Sequence, residues 1–110
     1  MILLICDRAT PEQIEQMLQE HKFYIKLAVD IERRVIVGGG ELHADCEEVL
    51  LNEGSRQQNI WAASLMPATG KVIYESMVNL RPRQNRSMEI LDSNIKERMA
   101  QIIKEFFINL

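Results

Sequence analysis

The sequence predicts an α+β fold: a largely antiparallel sheet with helices on one face, elements in the order βαββαββα. Three observations carry this. Phe23 to Ile31 alternates strictly, with Phe23, Ile25, Leu27, Val29 and Ile31 on one side. Thr10-Pro11-Glu12-Gln13 has the composition of a helix start, with a capping residue, proline at the first helical position and a glutamine able to complete a capping box. Two apolar runs flank Pro67-Ala68-Thr69-Gly70, a turn composition that implies a hairpin.

The elements follow in order. Ile2 to Ile5 is a short apolar strand ended by Asp7 and Arg8. The first helix carries Ile14, Met17, Leu18 and His21 on one face and ends near Lys22. Phe23 to Ile31 turns through Glu32-Arg33 into Arg34 to Val37, an antiparallel hairpin. After three glycines, Leu42, Cys46, Val49 and Leu50 recur at helical spacing, which predicts a helix from His43 to Asn52 with Gly54 as its stop. Ile60 to Met66 and Lys71 to Leu80 form the second hairpin, with Val72, Tyr74, Ser76, Val78 and Leu80 on one face. Pro82 ends that pattern and Arg81 to Ser87 is a polar loop. A last helix, capped by Asp92 or Ser93, places Ile95, Met99, Ile102, Ile103, Phe106 and Leu110 on one side. The first six elements follow the order of a ferredoxin-like core, with the final strand and helix as a C-terminal extension.

A length of 110 residues fits one domain, 1–110. Hydrophobic residues are 46% and charged residues 26%, an ordinary globular balance. A net charge of -3 gives no overall attraction to nucleic acid or to an anionic membrane. Apolar runs fall short of the ~20 residues of a membrane span, and the N-terminal stretch lacks the basic start and cleavage site of a secretory signal. The expected location is the cytoplasm, where Cys6 and Cys46 stay reduced.

The densest chemistry lies in Gly38 to Glu48, GGGELHADCEE. Glycines allow close backbone approach to a ligand, and Glu, His, Asp and Cys are side chains that move protons or bind metals. If Glu41 to Asp45 is extended, Glu41, His43 and Asp45 share one side, a set suited to a divalent metal or to a carboxylate orienting an imidazole. If it is helical, Glu41 pairs with Asp45, and His43 with Cys46 or Glu47. Folding offers competing explanations. Asp45, Glu47 and Glu48 fall where a helix dipole favours acids, and Cys46 falls on the apolar stripe as an inert thiol. The segment matches neither phosphate-binding glycine motif nor a recognised zinc spacing, so no cofactor is expected.

Asp30 interrupts an apolar run and is expected as a surface carboxylate beside the turn. Arg81, Arg83, Asn85 and Arg86 can grip a carboxylate or phosphate with forked hydrogen bonds. Trp61, Phe106 and Phe107 are expected in the core.

Val29 to Arg33 (VDIER), Gly38 to Leu51 (GGGELHADCEEVLL), Gly54 to Trp61 (GSRQQNIW) and Asn79 to Ile90 (NLRPRQNRSMEI) together resemble a family of small bacterial proteins, domain of unknown function 5674. The resemblance spans nearly the whole chain and implies an intracellular single-domain protein. It assigns no activity, substrate or catalytic residue. Ala62-Ala63 stands after Trp61 where the pattern suggests a glycine.

The leading functional expectation is a ligand- or partner-binding, regulatory domain. It forms a homodimer and meets its ligand at Gly39, Gly40, Glu41, His43 and Asp45 and at the Arg81 to Arg86 loop. The alternative is a small hydrolase or nuclease-like enzyme. There His43 is general base, Asp30, Glu41 or Asp45 orients it or holds a divalent metal, and an arginine stabilises developing charge.

Overall fold

The computed structural model describes residues 1–107, so the expected contribution of Leu110 to the last helix lies outside the described residues. Strands β1 (Leu3–Ile5), β2 (Ile25–Asp30), β3 (Val35–Gly38), β4 (Ile60–Met66) and β5 (Lys71–Ile73) alternate with helices α1 (Pro11–Met17), α2 (His43–Asn52) and α3 (Ser93–Phe107). The order is the βαββαββα expected, and every strand pairing is antiparallel in one five-stranded sheet, β1-β3-β2-β4-β5.

Helices cover both faces of the sheet, not one. In the central strand β2, Leu27 and Val29 on one side and Ala28 and Asp30 on the other are all 0% exposed. Ile25, Leu27, Val29, Trp61, Ala63 and Leu65 pack with Met17 of α1 and with Met99, Ile102 and Ile103 of α3. Ala28, Val35, Val37 and Ile60 pack with Cys46 and Leu50 of α2 on the opposite side. The connectivity explains this. The α1 crossover steps from β1 over β3 to β2, and the α2 crossover from β3 over β2 to β4, in the same lateral direction. Because β1 and β3 run antiparallel, two right-handed crossovers put their helices on opposite faces. The strand order also departs from a ferredoxin-like unit, which sets its fourth strand against its first. Here β4 pairs with β2 and β1 forms an edge.

Local chemistry fixes the joints. Thr10 accepts the Gln13 N–H at 3.1 Å while the Gln13 side chain accepts the Thr10 N–H at 2.9 Å, the capping box read from sequence. Helix α1 ends at Met17 and the turn beyond it passes through Lys22 at φ +64°. The first hairpin turns because Asp30 Oδ1 accepts the N–H groups of Glu32 and Arg33 and Arg34 takes φ +56°. Asp92 caps α3, its Oδ1 accepting the Asn94 N–H at 2.8 Å.

The longest departure from the expected elements follows β5. The strand ends at Ile73, although the alternation continues to Leu80. Ser76 instead caps a 3-10 turn, Met77–Asn79, by accepting the Val78 N–H. The chain then lies along the part of β4 that β5 does not reach. There the Asn79 side chain accepts the Ala62 N–H at 2.8 Å and donates to the Ala62 carbonyl at 3.0 Å, standing in for a strand partner.

Candidate functional site

Helix α2 starts directly after the glycines, with Leu42 as its N-cap residue and His43 as its first helical residue. No side chain caps its first turn, where Ser, Thr, Asp or Asn usually stands. Asp45 reaches back to accept the Leu42 N–H at 3.1 Å, which accounts for its carboxylate in folding terms.

His43 points to the sheet. Its Nε2 lies 3.0 Å from the Ala63 carbonyl and 3.2 Å from Ser64 Oγ. A carbonyl only accepts, so Nε2 carries the hydrogen and the ring is the neutral Nε2–H tautomer. Burial pulls the imidazole from its ordinary 6.5 down to about 4, opposed by the Ala63 bond and assisted by the charges of Lys26 and His21. A ring with this pKa, tied to a carbonyl and bonded to no carboxylate among the described residues, lacks what the hydrolase alternative asks of it.

Beside His43 a cleft of about 260 Å³ opens between the start of α2 and the Met77–Asn79 turn. Leu42, His43 and Ala44 form one wall and Ser76, Met77 and Val78 the other. Lys26 enters from β2 on the sheet beneath. Leu42 is 53% and Met77 75% exposed, so two apolar side chains stand at the mouth.

The other expected site residues are dispersed. Glu41 is exposed, and its carbonyl accepts a hydrogen bond at 2.9 Å from His21 Nε2, whose ring stacks on Tyr24. Gly39 sits at φ +97°, where an added Cβ would lie 2.1 Å from the Met1 carbonyl oxygen and 3.0 Å from Met17 Cα. Gly40 approaches Cys46 Sγ in the same way. These glycines are therefore spent on chain packing. Cys46 is buried, and its pKa is raised to about 11 chiefly by burial. Among the described residues no three His, Cys, Asp or Glu side chains come together as metal ligands, and Glu41, His43 and Asp45 do not form such a set.

Asp30 is not a surface carboxylate: it is 0% exposed, because α2 covers the face that was expected to be wet. The polar loop is also partly internal. Asn85 donates to the carbonyls of Asn79, Ser87 and Glu89 and accepts from the Leu91 N–H, so backbone consumes its amide. Arg81 is 9% exposed, donates to the Ile60 carbonyl and stacks 4.2 Å over the Trp61 ring. Burial lowers its pKa and Glu47 opposes that shift. Arg83 and Arg86 are exposed.

Residues 3–106 match the model of a family described as protein of unknown function, DUF5674. The chain belongs to this family. No match was found among curated proteins or among solved structures. In this DUF5674 chain the segment around His43 was legible as a candidate, whereas Lys26, Ser76, Met77 and Val78 were not. The available signal was Lys26 itself, a cation in a strand that turns out to be covered on both faces and so must border either solvent or a cavity.

Proposed function

We propose that this DUF5674 domain binds a small ligand in the cleft between the start of α2 and the Met77–Asn79 turn. The observation that carries the reading is the cleft itself: about 260 Å³, mostly apolar walls, and a few converging polar groups from Lys26, His43 and Ser76. Small-molecule sites share this composition. His43 serves as a positioning group, its ring held by β4, and the first wall is part of the Gly38 to Asp45 segment. Among described residues no helix is long and apolar enough to cross a membrane. Operation in the cytoplasm as a homodimer completes the proposal; Phe23 at 82% and Leu91 at 63% exposure supply apolar surface for the dimer contact.

A fragment screen followed by backbone-amide NMR tests the site. Shifts clustered on Lys26, Ala44 and Val78 are expected. Hits that all map away from these residues would refute the placement. For the dimer, light scattering at micromolar concentration is expected to report twice the chain mass, and a monomer would reject that part.

A further inference from the structure

We infer that the ligand of the cleft is a small monoanion, a carboxylate on a short apolar body, with Lys26 as its counter-charge. This rests on the cleft being the binding site. The charge of the lining contrasts with that of the chain. The protein carries a net -3, yet the residues lining the cleft include Lys26, a neutral His43 and no Asp or Glu. The nearest carboxylate in sequence on the α2 wall, Asp45, is turned to the Leu42 N–H. Among the described residues the Lys26 ammonium forms no ion pair.

Lys26 and Ser76 each bring a donor to the cleft lining, whereas His43, whose Nε2–H is given to Ala63, keeps only an acceptor at Nδ1. Ser76 is 6% exposed and its Oγ already accepts the Val78 N–H at 3.1 Å, while its hydroxyl hydrogen has no acceptor among the described residues. His43 and Ala44, both in the wall, open a helix whose first turn has no side-chain cap, and the first N–H groups of a helix have no intrahelical acceptor. A cation and a buried hydroxyl lining one cavity suit an acceptor-only group with negative charge. Leu42, Ala44, Met77 and Val78 then take an aliphatic body. The cleft of about 260 Å³ has room for such a body, and a single Lys26 matches one negative charge better than a phosphate's two.

Hexanoate, hexan-1-ol and hexylammonium are probes of one shape and three charges. In amide NMR titrations of the full chain, hexanoate is expected to shift the His43, Ala44 and Val78 amides at least about tenfold more tightly than the alcohol, the effect of one charge-assisted contact. Hexylammonium is expected to leave them unmoved. Added salt weakens hexanoate binding. Lys26→Met, which keeps the aliphatic stem, is expected to abolish the preference for the acid, and Lys26→Arg to keep most of it. If Lys26→Met fails to fold, the salt dependence in the unaltered chain decides in its place. Equal binding of acid and alcohol in the cleft would overturn the anionic ligand and leave the site standing. No shift in the cleft with any of the three, while fragments map elsewhere, would overturn both.

Discussion

The Nε2–H of His43 donates to the Ala63 carbonyl across 3.0 Å, tying the first turn of α2 to the middle of β4. The bond requires a neutral ring with its hydrogen on Nε2. Burial lowers the imidazole pKa to about 4, so at intermediate pH the unfolded chain binds a proton that the folded chain does not. Stability from this group is therefore present above its ordinary 6.5 and lost as pH falls toward 4. Urea melts across that window are expected to show the decline, and His43→Gln, which keeps a donor but does not titrate, is expected to flatten it. An unchanged pH profile in the variant would contradict the assignment.

Two glycines share φ +97° and differ in surroundings. A Cβ at Gly54 meets nothing within 4 Å, whereas at Gly39 it meets the Met1 carbonyl and Met17. Gly54→Ala is expected to cost about 1 kcal/mol, the left-handed backbone alone. Gly39→Ala is expected to cost at least about 2 kcal/mol more, since the N-terminal segment must move. Equal losses in denaturant titrations would show that the close approach at Gly39 is not needed.

Asn79 replaces a missing strand partner for Ala62. Asn79→Ala leaves a buried N–H and a buried carbonyl unpaired, an expected loss of about 2–4 kcal/mol. Hydrogen exchange at Ala62 should accelerate by more than global destabilisation accounts for, and exchange that follows global unfolding alone would argue against the role.

The cysteines differ in reach. Cys6 is exposed, while Cys46 is buried with its thiol raised to about 11. A thiol reagent at neutral pH is expected to modify one group rapidly and the second only in denaturant. Rapid modification of both would mean that α2 opens readily.

Helix α2 and strand β4 were legible with their bounds because periodicity, glycines and turn residues agreed there. The second covered face was not. It follows from the lateral direction of two crossovers, which no local pattern encodes, and Asp30 was misread through it as a residue of a wet face. The run beyond Ile73 misled for a different reason. Its alternation is genuine, but Ser76 captures the Val78 N–H and Asn79 turns its side chain to β4, so local capping defeats strand pairing. The candidate site was thus half visible. His43 and its neighbours form one wall, and the opposite wall came from residues assigned to a strand.

The most direct measurement of the central claim is a crystal structure of the protein soaked with hexanoate. The expected result is a carboxylate within hydrogen-bond reach of Lys26 Nζ, its carbon chain between Leu42 and Met77. Hexanoate bound on another surface, or in the cleft with its carboxylate turned away from Lys26, would contradict it.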